Sequence, residues 1–295
     1  MNWYPNKRLG LLWGLVLIAV VVAAEVSLLR SILGAPIDFW LFVRALWCVA
    51  TLPLLAFLAY GYYGLANLAY RIERNGIMIR WGAIADMVPR DEIIEIVPFS
   101  ALSKRVSQGW GWPGYRIGDG HVAGVGPVRL YTTRPPEQSM AVRTRTRVYV
   151  ISPANVEGFL ADYRARRSLG PIARWAEGRR LPWLLNLSIW RDQLAGSLAL
   201  PALVLNVGLF GYLAARYPGL APRLVLSYDL QGMGDRIGAR PEIWILPAAG
   251  LAILLVNATL AAAMHRRERV LALLLLAHGP VVQALLWLAV VRLAR

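Results

Sequence analysis

The chain has 295 residues and a formal charge of +15; 57% of its residues are hydrophobic and only 17% are charged. A soluble domain carries about 25% charged residues, so a wholly soluble globular chain is excluded. The deficit is local: long apolar runs flank a charged, alternating middle, the pattern of membrane helices around an inserted domain.

The basic excess does not imply nucleic acid as a partner. It is nearly all Arg, it collects beside apolar spans, and no RNA-binding or helix-turn-helix pattern accompanies it. Basic flanks of membrane spans follow the positive-inside rule and face anionic lipid. The single cysteine, Cys48, excludes a disulfide framework and a Cys-type zinc site. His121, His265 and His278 lie far apart and in no ligand spacing. No metal and no cofactor is expected.

In chain order, the first apolar span covers 9–29, behind Lys7 and Arg8. It is too long for a signal-peptide core and ends in no small-x-small site, so it reads as a retained span. The second covers 39–65, with Phe39, Trp40 and Trp47 near one end and Tyr60, Tyr62 and Tyr63 near the other, as aromatic belts. Three more spans cover 194–215, 243–264 and 270–293. Each is long enough to cross about 30 Å of hydrocarbon. The Lys/Arg bias puts Lys7 and Arg8, the middle domain and the link His265–Arg269 inside. The loop 216–242 and the end of the chain then lie outside, with Arg292 and Arg295 opposing the rule.

From Tyr70 the period changes. Tyr70–Arg74 and Ile77–Trp81 alternate on either side of Asn75-Gly76, which predicts a hairpin turning on those two residues. Ala83–Val88 and Ile93–Phe99 read as further strands. The Gly-rich stretch 109–126 predicts a long loop or irregular strand. It lacks the Gly-Lys-Ser/Thr of a phosphate loop. Trp110 and Trp112 within it either dip into the inner leaflet or cap the domain. Strands resume at Val128–Thr133, Met140–Thr144 and Arg147–Ile151. Ser152-Pro153 then predicts an N-cap and first turn, followed by an apolar stripe of Val156, Phe159, Leu160 and Tyr163. About seven strands and one closing helix predict a small barrel.

The order of these features resembles the bacterial pleckstrin-homology (PH) domain. Tyr70-Arg71-Ile72 before Asn75-Gly76-Ile77, the strand to Trp81-Gly82, Val88-Pro89-Arg90-Asp91-Glu92-Ile93, and Val148–Pro153 leading to Phe159-Leu160 carry the resemblance. It implies a fold more than a function, and no lipid-binding motif is matched. The loop with Tyr228-Asp229 and Gly232–Arg236, before Pro247, is similar to small bacterial membrane domains of unknown function, without their His-x-Asn.

The fold class read here is therefore an α+β membrane protein. About five transmembrane helices carry an inserted PH-like β-barrel closed by a C-terminal helix. Residues 1–65 form a two-span hairpin, 66–168 a cytoplasmic PH-like domain, 169–193 a basic juxtamembrane linker, and 194–295 three spans with an outer loop.

Polar groups inside spans are costly in lipid and so are candidates. Depth along the helices predicts three pairs: Glu25 with Arg44, Asn206 with Gln283, and Asn257 with His278. Interhelical bonding explains them better than an ion path. Arg174, Trp175, Arg179, Arg180, Trp183 and Trp190 predict contacts with the anionic inner membrane surface. No Ser-His-Asp arrangement is read, so no enzyme is expected. The expected protein is a non-catalytic binding or scaffold module of the bacterial cytoplasmic membrane, with envelope regulation suggested by the resemblance alone. Its expected partners are anionic lipid and a protein at the PH-like domain. A small transporter or channel component, using the intramembrane polar residues, is the alternative.

Overall fold

The computed structural model describes residues 2–103, 109–173, 175–228 and 234–293. Five helices among them are long and apolar enough to cross a membrane: Arg8–Ile32, Phe39–Ala66, Gln193–Gly219, Arg240–Met264 and Arg269–Leu293. Many of their aliphatic side chains face outward, among them Leu12, Val16, Val20, Leu52, Leu255, Val256, Leu285 and Leu288. Apolar surface on this scale is what lipid covers. Contacts divide the chain into two compact units, Met1–Glu25 with Thr51–Leu185, and Val26–Ala50 with Asn186–Arg295.

The first unit starts with β1 (Asn2–Trp3) and the first part of α1 (Arg8–Ile32), and takes in the last part of α2 (Phe39–Ala66). It continues with β2 (Ala69–Glu73), β3 (Gly76–Trp81), β4 (Ile84–Pro89), β5 (Ile93–Pro98), β6 (Trp110–Trp112), β7 (Tyr115–Val122), β8 (Gly126–Thr132), β9 (Met140–Thr144), β10 (Val148–Ile151), α3 (Val156–Ser168) and β11 (Gly178–Arg180). One sheet has the order β1-β2-β3-β4-β11 and the other β5-β9-β10-β8-β7-β6. Alternation sets the faces. Tyr70, Ile72, Ile77 and Ile79 are fully buried, while Arg71 and Arg80 point out. Phe159 and Tyr163 of α3 join the same core.

The predicted barrel is not closed. Between β4 and β5 the chain passes through Pro89 and a single 3-10 turn, Arg90–Glu92. β4 pairs with β3 and β11, not with β5, so the sheets share a core but no ladder. Two local expectations also change. The first hairpin turns on Arg74-Asn75, with Gly76 opening β3 opposite Glu73. Gly76 has φ +150°, and a Cβ there would stand 2.1 Å from the Val88 carbonyl oxygen. The N-cap of α3 is Asn155, whose Oδ1 accepts from the Gly158 amide at 2.9 Å. Ser152 is instead held in the core, its hydroxyl accepting from the Thr133 amide at 2.8 Å. Of the two readings of the Gly-rich stretch the strand holds: it forms β6, β7 and the start of β8.

The second unit is built on α4 (Gln193–Arg216), the hairpin β12 (Arg223–Tyr228) and β13 (Gly234–Ala239), α5 (Ile245–Met264) and α6 (Arg269–Leu293). Small residues let the helices approach. At Gly279 of α6 a Cβ would stand 3.1 Å from that of Ala202 and 3.0 Å from Leu254. At Gly211 of α4 it would stand 2.8 Å from the Phe42 ring of α2. Ala272, Leu276, Gly279, Gln283 and Val290 are buried on α6, which is a helical stripe.

Candidate functional site

Three polar or aromatic constellations stand out. The first roots the β-rich domain on its helix pair. Trp112 donates its indole N–H to the Gly10 carbonyl of α1 at 2.6 Å. Trp81 lies against Gly64 of α2 and donates to the Tyr115 hydroxyl at 2.7 Å. Trp110 sits over Gly61, its ring 4.3 Å from that of Phe57. Trp110 and Trp112 thus pack on the bare glycine faces of the helices, which neither sequence expectation described. Lys7 donates to the Ala66 carbonyl at 2.7 Å, placing a cation at the C-terminus of α2. Burial lowers the Lys7 ammonium below its ordinary pKa.

The second constellation is a buried acid. Asp86 on β4 is fully buried. Its Oδ2 accepts from the Tyr131 hydroxyl at 2.9 Å and from Arg129 at 3.1 Å. Its Oδ1 has no hydrogen bond and faces Arg179 Nε at 3.7 Å. Burial, reinforced by the Asp86 charge, pushes the Tyr131 phenol well above its usual pKa. Arg129 also pairs with Asp119.

The third lies where α4 and α6 begin and α5 ends. Asp192 caps α4, accepting from the Leu194 amide at 3.1 Å. Arg269 forks onto its carboxylate at 2.7 and 3.2 Å. His265 Nε2 lies 2.9 Å from Asp192 Oδ2, and His265 Nδ1 lies 2.9 Å from the Ser188 hydroxyl. The hydrogen bonds from Arg269 and His265 hold the Asp192 carboxyl far below the usual range. A cavity of about 430 Å³ lies beside it, lined by Ser188, Arg191, Asp192, Gln193, Leu194 and Arg269. The sequence alone shows no Ser-His-Asp arrangement; folding brings Ser188, Asp192 and His265 into one chain of contacts. They are 77 and 73 residues apart, a separation that no motif spacing reveals. Among the described residues, no group of three His, Cys, Asp or Glu is placed to hold a metal ion.

Residues 68–167 match the family model of the bacterial PH domain. That segment holds β2 to β10 and nearly all of α3, so the PH domain sits between the second and third apolar helices. No curated protein and no solved structure matches the chain.

Of the predicted intramembrane pairs, the structure brings Asn206 and Gln283 together. Asn206 Nδ2 donates to Gln283 Oε1 at 3.0 Å and to the Pro247 carbonyl at 3.1 Å. Gln283 Nε2 donates to the Gly250 carbonyl at 3.0 Å. One amide pair thereby ties three helices. Asn257 and His278 do not meet. His278 is exposed on the outer side of α6, and the Asn257 amide nitrogen is buried without a hydrogen bond beside an apolar cavity of about 200 Å³. Arg44 donates to the Ser31 carbonyl at 2.8 Å, and among the described residues Glu25 forms no ion pair within 4.0 Å.

Of the predicted surface contacts, Arg174 lies outside the described residues, as do Asp229, Gly232 and Met233 of the loop before α5, and Arg295. Arg179 and Arg180 are in β11, added to the edge of the PH domain. Trp183 and Trp190 are exposed, and Trp175 is half-buried.

Proposed function

We propose that this protein is a non-catalytic membrane-anchored scaffold that presents its PH domain to a protein partner at the cytoplasmic face. The observation that supports it most is the rooting of the domain on α1 and α2. Trp81, Trp110 and Trp112 lock onto Gly64, Gly61, Gly14 and Gly10, which leaves no hinge at the base of the domain. A recruitment module needs freedom to leave the membrane; a domain fixed there suits display of a surface. Pairing of β1 with β2 means that α1 and α2 return the chain to the side it left. The basic residues Lys7, Arg8, Arg164, Arg166 and Arg167 favour the cytoplasm for that side.

The test is a photoreactive residue placed at exposed PH positions such as Ile94 and Arg116, with lipid-facing Leu285 as control, in native membranes. A discrete protein adduct at a PH position and none at Leu285 is expected. Lipid adducts alone from every PH position refute the scaffold reading.

The Ser188–His265–Asp192 chain favours a second reading, a serine hydrolase working at the membrane surface. Against it, Arg269 occupies both Asp192 oxygens, which leaves a weak acceptor behind the histidine. Labelling of the purified protein by a fluorophosphonate, lost in Ser188→Ala, would establish that reading; no labelling ends it. The transporter reading is disfavoured because Asn206 and Gln283 satisfy each other and adjacent carbonyls.

A further inference from the structure

The edge of β4 that faces away from β3 carries an interaction surface. A sheet edge with unpaired amides and carbonyls invites another strand. Here the chain itself fills the place with residues 172, 173 and 175–180. Asn75 Oδ1 accepts from the Ile172 and Ala173 amides, both at 2.9 Å. Glu177 accepts from the Thr146 hydroxyl at 2.7 Å and the Tyr149 hydroxyl at 2.9 Å. β11 then pairs antiparallel with β4: Gly178 with Met87, Arg179 with Asp86, Arg180 with Ala85.

This strap is a poor fit. All three β11 residues are exposed, and Ile172 is 75% exposed. Leu181 is half-buried against the core. An element with little apolar burial opens at low cost. Beneath it, the fully buried Asp86 aims Oδ1 at the strand without a hydrogen bond, because Arg179 Nε stops 3.7 Å away. A buried carboxylate oxygen left unpaired is costly. An arginine reaching it at about 2.8 Å would form the charge-assisted bond that Arg179 does not.

We propose that the β4 edge is a strand-addition site for an extended segment of a partner protein bearing an arginine opposite Asp86, and that residues 175–180 are a self-ligand displaced when it binds. Backbone pairing supplies the affinity and the arginine supplies selectivity. The imperfect self-contact is what makes displacement feasible, and it argues for a foreign strand over a second copy, which would repeat the same fit. The proposal deepens the scaffold reading by naming its surface.

The experiment uses the full chain in detergent and a fluorescent synthetic peptide of residues 171–182 as probe. The strap is opened by Gly178→Pro with Arg180→Pro, which takes ladder donors from an exposed strand. The opened protein is expected to bind the peptide, with slowed hydrogen exchange at Ala85 and Met87, and the unmodified protein to bind it more weakly. A peptide with Arg179→Ala should bind about two- to fivefold more weakly, the size of an ion pair without a hydrogen bond. That variation leaves the protein untouched, so misfolding cannot imitate it. No binding to the opened protein, or equal binding of both peptides, overturns the proposal. So does unmodified protein running as a dimer through exchanged 175–180 segments. The photo-crosslinking test reports partners anywhere on the PH domain, so the two ideas fail separately.

Discussion

Gly10→Ala is the sharpest test of how the PH domain is rooted. In a helix, alanine normally gains about 1 kcal/mol over glycine. Here its Cβ would stand 2.5 Å from the Gly114 carbonyl oxygen and 2.8 Å from Leu65 Cδ2. The first of these is backbone and cannot swing aside. Overpacking of this kind costs about 1–3 kcal/mol. Relief by separation stretches the 2.6 Å bond from the Trp112 indole to the Gly10 carbonyl, and an unpaired buried N–H costs about 1–3 kcal/mol. Offset by the helix gain, the net loss is about 1–5 kcal/mol. Gly196→Ala is the control, because nothing lies within 4 Å of its Cβ position. Thermal unfolding in detergent, read by tryptophan fluorescence, should place Gly10→Ala several degrees below wild type at about 2–4 °C per kcal/mol. Gly196→Ala should sit at or above wild type. If the two variants melt together, the glycine face is not the docking surface inferred here.

Other outcomes follow from the same geometry. A double-mutant cycle of Asn206→Leu and Gln283→Leu should give a coupling of about 0.6–1.7 kcal/mol in unfolding by denaturing detergent; strict additivity would mean the amides act independently. Tyr115→Phe leaves the Trp81 indole N–H without its acceptor and should destabilise the PH domain by about 1–3 kcal/mol, with Tyr63→Phe as an exposed comparison. The Asp192 carboxyl is lowered in the folded state, so its contribution is full above the unfolded value of about pH 4 and is lost as pH falls through the lowered folded value. The stability gap between wild type and Asp192→Asn should therefore be constant above about pH 5 and narrow below about pH 4; a gap that does not narrow in acid contradicts the ion-pair assignment.

The five apolar helices were legible because a membrane span needs only length and composition, both local properties. Strands β2 and β3 were legible through alternation. What failed was non-local. The Gly-rich stretch reads as a long loop or an irregular strand, and nothing local shows that its Trp110 and Trp112 rings press on Gly61 and Gly14. Depth along a helix follows from residue number, but the direction a side chain points advances about 100° per residue. Asn206 and Gln283 match in both respects; Asn257 and His278 match only in depth. Ser188, Asp192 and His265 meet because three helix ends converge, an event without a sequence period. Asn155 outcompeted Ser152 as a cap because the core claims the Ser152 hydroxyl.

The placement of β1 has a consequence for biosynthesis. Trp3 donates to Asp162, 159 residues later, and its ring meets Phe159 edge-on. At about 5–20 residues per second, that partner is made roughly 8–30 s after the tryptophan. Through that interval the segment must wait beside a membrane that has already received α1 and α2. The PH domain is therefore sealed late, by residues made early. Any fusion or modification at Trp3 competes with closure of the domain rather than decorating a finished one.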